Sequence, residues 1–174
     1  MYIHNSLSWE ILQKGPNDLE LVALSVSSST VNTVKHCVSV LYRPPSSSVS
    51  FFDSLYNTIL NLSPHQFSSF VLVGDFNVDF CNTDHPYFYK LNSILQMLSL
   101  SQVVGTPTHT CPNGNSSLID LALVSNTALL HHCSTMPPIA NSDHNGLQLS
   151  FKWRLSGRQA QQPCLLYTSP SPRD

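Results

Sequence analysis

A basic surface is the first thing this sequence lacks. Charged residues make up 10% of its 174 residues, against about a quarter in an average globular protein. Eight lysines and arginines stand against ten aspartates and glutamates, giving a net charge of −2 with histidine neutral. That is too little for the phosphate-neutralising patch that marks most DNA-binding surfaces. Any nucleic-acid affinity must come from a metal site and a few contacts, or from parts of a protein outside this chain. Glutamate is scarcer still, with Glu10 and Glu20 the only two. No apolar run approaches the roughly 18 residues of a membrane span. The start, Met1-Tyr2-Ile3-His4, has neither the basic nor the apolar region of a signal peptide. Cysteine is present at an odd count (Cys37, Cys81, Cys111, Cys133, Cys164) with no C-x-x-C pair. That indicates neither a zinc ribbon nor a disulfide framework, and favours free thiols in a reducing, intracellular compartment.

What is present is enough for one domain with one core, since 41% of the residues are hydrophobic. The most informative stretch is Ser69-Phe70-Val71-Leu72-Val73-Gly74-Asp75-Phe76-Asn77. Phe70 to Val73 predicts a strand buried on both faces. Gly74 permits a turn where a side chain would clash. Asp75 and Asn77, two apart, point the same way if both lie on the strand end. A carboxylate and an amide at the carboxyl end of a buried strand suit a hard metal ion or a phosphate. An Asx turn after the strand would use the same two residues.

Upstream, residues 1–12 alternate weakly, as a short strand entering a loop would, and Lys14-Gly15-Pro16-Asn17-Asp18 is a turn cluster. Leu19–Val26 and Val34–Tyr42 alternate as antiparallel strands around a polar loop at Ser27–Asn32. In the second, Val34, His36, Val38 and Val40 share a side. Pro44-Pro45 stops that strand. Ser50 is placed as an N-cap, followed by Phe51, Phe52, Leu55, Ile59 and Leu62 at helical spacing, with an end near Ser63-Pro64. Strand, helix and buried strand form a crossover, so the fold class is α/β.

Downstream, Asn82–Pro86 should open a second helix, with Leu91, Ile94, Leu95 and Leu98 as its stripe and its end at Leu100–Val104. Gly105–Thr110 reads as a loop into a short strand, and Asn113-Gly114 as a turn. Leu118–Ser125 predicts another buried strand carrying one acid, Asp120, which must have a partner there and is a site candidate. His131-His132 reads as a surface pair. Asp143-His144, before a closing strand at Gly146–Trp153, is either structural capping or a carboxylate–imidazole unit. Residues 154–174 lose all apolar period and read as a disordered tail. Residues 164–174 (CLLYTSPSPRD) resemble one reading frame of a sequencing adapter and are excluded from the fold.

Four motifs now stand in order: Tyr42-Arg43-Pro44-Pro45, Gly74-Asp75-Phe76-Asn77, Leu118-Ile119-Asp120-Leu121 and Ser142-Asp143-His144. They resemble the endonuclease/exonuclease/phosphatase superfamily, and more narrowly the apurinic-type endonuclease domain of non-LTR (LINE-type) retrotransposons. The resemblance implies a DNase I-like four-layer α/β sandwich, two packed mixed sheets flanked by helices, occupying residues 1–153 and incomplete at the N-terminus. It implies Mg²⁺-assisted (or Mn²⁺-assisted) hydrolysis of a phosphodiester that nicks DNA and leaves a 3′-hydroxyl. Tyr42 would contact the scissile phosphate region, Asp75 would activate water, and Asn77 would bond the phosphate and Asp75. Asp120 would support the histidine, Asp143 would associate with metal or histidine, and His144 would stabilise the transition state. Partners implied are DNA and, in the intact element, a reverse transcriptase domain, with a monomer acting in the nucleus.

The chain also departs from the pattern. A family domain begins with a strand ending in asparagine and another ending in the glutamate that is the main metal ligand. Neither is present, and Tyr2-Ile3-His4-Asn5 corresponds to a middle strand. The expectation is therefore impaired activity, marginal stability and exposed apolar edges. The alternatives are a catalytically inactive remnant, or a phosphatase of the same fold acting on a nucleotide or lipid phosphate.

Overall fold

A computed structural model describes residues 2–5, 7–16, 19–28, 34–110 and 114–153. The tail assignments at 154–174 lie outside the described residues, as do most of the Ser27–Asn32 loop, Asn17-Asp18 and Asn113.

The main sheet has six strands. β1 (Leu7–Lys14), β2 (Glu20–Ser28) and β3 (His36–Tyr42) form an antiparallel meander. The alternation of Leu19–Val26 and Val34–Tyr42 produced both inner strands in the expected pairing. Helix α1 (Ser50–Asn61) then carries the chain to β4 (Ser69–Asp75), which runs parallel to β3. The expected crossover is therefore present. Helix α2 (Phe88–Met97) leads to β5 (Ser101–Gln102), and the short hairpin β6 (His109–Thr110) and β7 (Ser116–Ser117) precedes β8 (Asp120–Val124). β8 enters antiparallel between β4 and β5, completing the order β1-β2-β3-β4-β8-β5. A second sheet pairs β9 (Leu130–Met136) with β10 (Gly146–Phe151).

The second sheet lies over one face of the first. His144, just before β10, meets Asp120, and Trp153, just after it, stacks on His36 with ring centroids 4.3 Å apart. Both partners belong to the face that carries the paired rows Val38–Val71–Val124 and Val40–Val73–Ala122. The opposite face, with Cys37, Leu41, Phe70 and Leu72, is buried in a cluster that includes Phe52, Leu55, Ile59, Leu91 and Ile94 of the helices. Burial on both faces is why β4 reads as a continuous apolar run. Beyond the reach of β9–β10, Trp9, Ile11 and Val22 on the covered side stand in water.

Several sequence expectations are corrected. Ser50 is the first helical residue, not the cap. Val49 holds that place without a side-chain cap, and Ser50 bonds Ser48 at 2.7 Å. α2 starts at Phe88 instead of within Asn82–Pro86, because that stretch is spent in turns where Asn82 Oδ1 accepts from Asp84 N. It stops at Met97, and Leu100–Val104 contains an edge strand on β8. Tyr2–Asn5 is not a strand, and the first strand is at the sheet edge. β9 has no alternating pattern to announce it.

Candidate active site

Strand register builds the site. Cross-strand partners project to the same side of a sheet, so Glu20, Tyr42, Asp75 and Asp120 form one row across β2, β3, β4 and β8. The row lies where β4 stops. Its close approach to β3 requires Gly74, since a Cβ there would sit 1.8 Å from Leu41 O.

Asp75 and Asn77 are joined by more than parity. The strand ends at Asp75, and Asn77 takes a left-handed backbone (φ 46°), which asparagine tolerates better than most residues. Asn77 N donates to Asp75 Oδ1 at 2.8 Å, and Asn77 Nδ2 donates to Asp75 Oδ2 at 3.1 Å. The Asx turn and the juxtaposed carboxylate–amide pair are one structure. Nδ2 also donates to Arg43 O at 2.7 Å, which ties the turn to β3. Burial is the main cause that pushes the Asp75 carboxyl up to about 6, against the Asn77 N–H, which favours the ion. The nearby Asp120 adds to the rise.

Arg43 is a site residue that the sequence reading passed over. It is buried beneath Phe51, Phe52 and Tyr87, whose ring centroids lie 4.8–5.5 Å from its Cζ. Its guanidinium donates to Ser47 O at 2.9 Å and, at the long end of hydrogen-bond range, to Asn77 O and Phe76 O at 3.3 and 3.4 Å. It therefore clamps the Asp75–Asn77 turn from behind. Its position inside Tyr-Arg-Pro-Pro was the available signal.

Asp120, buried as expected, has its required partner. His144 Nδ1 lies 2.8 Å from Asp120 Oδ2. That hydrogen bond raises the His144 pKa, with burial opposing it and the charges of Asp120, Asp75 and Asp143 adding to it. Asp120 N donates to the buried Thr108 hydroxyl at 3.0 Å. Thr108 lies in a short antiparallel contact between 108–110 and 143–145: Asn145 N to Thr108 O at 2.7 Å, a bridge between His109 and His144, and Thr110 N to Asp143 O at 3.1 Å. This contact brings in His109, which no sequence motif had singled out as a site residue. Asp143 is mostly exposed, with Oδ2 3.3 Å from His109 Nε2 and Oδ1 3.9 Å from His144 Nε2.

Among the described residues, two groups have one ligand atom per residue within 4.8 Å of the others: Asp75, Asp120 and His144, and His109, Asp143 and His144. Tyr42, Asp75, Asn77, Asp120 and His144 are thus brought to one strand-end neighbourhood, with Asp143 at its rim. Neither glutamate joins these groups. Glu10 is paired with Lys35 at 3.1 Å on β1, and Glu20 lies two strands from Asp75.

The fold is that of the endonuclease/exonuclease/phosphatase, DNase I-like, proteins. The family model described as endonuclease-reverse transcriptase matches residues 36–148, more than half of the chain, and the chain belongs to that family. No curated protein matches it in sequence. Among solved structures it resembles the endonuclease domain of TRAS1, a telomere-specific non-LTR retrotransposon. That match has a TM-score of 0.66 and 14% identity over 88% of this chain and 83% of that one. It also resembles the 3′ phosphatase NExo from Neisseria, solved with a product DNA hairpin, at a TM-score of 0.58 and 16% identity over 85% and 80%. A mannosyl-6-phosphatase from Bacteroides thetaiotaomicron follows at a TM-score of 0.51 and 15% identity over 82% and 67%. Likeness at such identities concerns the fold. No helix among the described residues is long and apolar enough to cross a membrane.

Proposed function

We propose that this chain carries the hydrolytic site of a DNA-nicking endonuclease of the retrotransposon type, cutting one phosphodiester bond and leaving a 3′-hydroxyl. The observation that carries the reading is the meeting, on one row, of two dissimilar units. One is a carboxylate pushed up to about 6, Asp75. The other is an imidazole held by a buried acid, His144 on Asp120.

A base is most useful when its pKa lies near the working pH, and Asp75 meets that condition. It takes the proton of the attacking water, while Asn77 fixes its orientation and reaches the phosphate. With Nδ1 committed to Asp120, His144 presents Nε2 to the phosphoryl oxygens, where an oriented donor stabilises developing charge. Tyr42, beside Asp75 in the row, contacts the scissile phosphate.

The residues present fit a hard divalent cation, Mg²⁺ or Mn²⁺. Magnesium commonly takes one or two protein carboxylates and completes its shell with water and phosphate oxygens. Asp143, at the rim of the site, would hold it, and it would supply charge stabilisation at the phosphoryl and leaving oxygens. In the intact element we place a reverse transcriptase domain beside this one, with action on nuclear DNA as a monomer.

A second reading, a phosphatase acting on a small phosphorylated substrate, is favoured by the scarcity of cations. Arg43 is buried, and Lys35 and Lys90 are engaged by Glu10 and Asp53. The deciding experiment incubates the full chain and Mg²⁺ with supercoiled plasmid, and separately with a nucleoside monophosphate. Nicking that Asp75→Asn abolishes is the expected result. Phosphate release without nicking selects the phosphatase, and nicking unchanged by Asp75→Asn refutes the role of Asp75.

A further inference from the structure

We infer that His109, Asp143 and His144 form a three-ligand site for a borderline transition-metal ion of the zinc class, sharing Asp143 with the hard-cation site proposed above. The inference rests first on how the two imidazoles are held. A histidine that binds metal through one ring nitrogen almost always anchors the other on a carboxylate, a carbonyl or water. Here His144 Nδ1 is on Asp120 Oδ2 at 2.8 Å. His109 Nδ1 is on Ser117 Oγ at 3.2 Å, a longer anchor, from a hydroxyl. Both rings therefore turn Nε2 toward the same carboxylate, at 3.3 and 3.9 Å from the two Asp143 oxygens.

The dimensions suit zinc. At Zn–N and Zn–O distances of about 2.0–2.2 Å, tetrahedral ligand atoms stand about 3.3 Å apart. The three ligand atoms lie within 4.8 Å of one another, so drawing them onto one ion takes side-chain shifts of an ångström or so. Asp143, on the exposed rim, is free to make such a shift. The backbone holds the rings side by side, with centroids 4.8 Å apart, through the bridge between His109 and His144 and the Thr110 N to Asp143 O bond. Two imidazoles and one carboxylate are the donor set of several zinc sites that leave a fourth position open. Magnesium prefers oxygen and makes poor use of two nitrogens.

On the function proposed above, an ion here engages His144 Nε2 and removes it from the phosphate. The site would then be inhibitory, and zinc would lower nicking even with Mg²⁺ in excess. The binding itself does not depend on that function.

The test titrates the full chain with Zn²⁺ by calorimetry and with Co²⁺ by visible absorption. One ion per chain is expected, with tetrahedral cobalt bands and at least a tenfold loss of zinc affinity in His109→Gln. Asp143→Asn, at an exposed side chain that the fold does not need, should lose as much, and guards against misfolding of the first variant. Undiminished binding in both variants would overturn the site. So would loss of binding in His131→Gln/His132→Gln or Cys81→Ser, or a strong sulfur charge-transfer band with cobalt. Tight zinc binding by a chain that never nicks DNA would sustain the site and refute the nuclease reading instead.

Discussion

His144 and Asp120 face each other across 2.8 Å, from a loop and from the first residue of a buried strand. The acid solves its burial by charging the imidazole, whose pKa is raised chiefly through that bond. The stabilisation is therefore full below the imidazole's ordinary value of 6.5 and fades as pH rises through the folded value. Asp120→Asn should shift the His144 titration downward, read by NMR of the ring resonances. It should slow nicking on the order of 10²-fold, the scale of a misoriented proton donor. An unmoved titration would mean that Asp120 does not govern this ring.

His36 gives the opposite sign. It is 1% exposed, with Nδ1 on Ser69 Oγ at 2.9 Å and one face on Trp153. Burial lowers its pKa from 6.5 to about 4. A histidine held neutral in the fold stabilises it above pH 6.5, and that contribution is lost as pH falls toward 4. Between pH 7 and 5 the linkage amounts to roughly 2 kcal/mol. Asp75 and His144, both raised, act in the opposite sense over this range, so the test is the comparison: in urea denaturation at the two pH values the natural chain should lose more stability than His36→Gln by about that amount.

Arg43→Met keeps the side chain's bulk and removes its donors. The carbonyls of Ser47, Phe76 and Asn77 lose the guanidinium, and three aromatic rings lose a cation. Phe76 O is the buried acceptor left without this donor, at about 1–3 kcal/mol, while Ser47 O and Asn77 O are part-buried, so a loss on the order of 2 kcal/mol is expected in the unfolding free energy from urea denaturation. Nicking should fall further than stability explains, because Asn77 O is one of the released groups. Activity intact in the folded fraction would show that the turn holds without its clamp.

The buried strands were legible because burial on both faces leaves an uninterrupted apolar run, as at Phe70–Val73 and Leu121–Val124. Asp120 was legible as an acid in such a run, which can exist only with a partner. The pairing of Asp75 with Asn77 was found for an incomplete reason. Period-two parity suggested it, whereas an Asx turn and a left-handed asparagine make it. His109 was not legible. Its place beside His144 depends on a three-residue contact between segments 34 residues apart, and nothing local encodes that. β9 was missed because Leu130–Met136 is polar and half-exposed on its own sheet, so no alternation marks it.

The bare stretch of the main sheet has a consequence for handling the molecule. Trp9, Ile11 and Val22 lie on β1 and β2, and the eight-residue β1 is the edge strand of the six-stranded sheet. A wet apolar surface flanked by an open ladder is a template for other chains. Colloidal behaviour, more than folding free energy, will set how concentrated this protein can be kept. Light scattering should respond to Trp9→Lys, a change on the far side of the sheet from the helices that leaves the row at the end of β4 as it is.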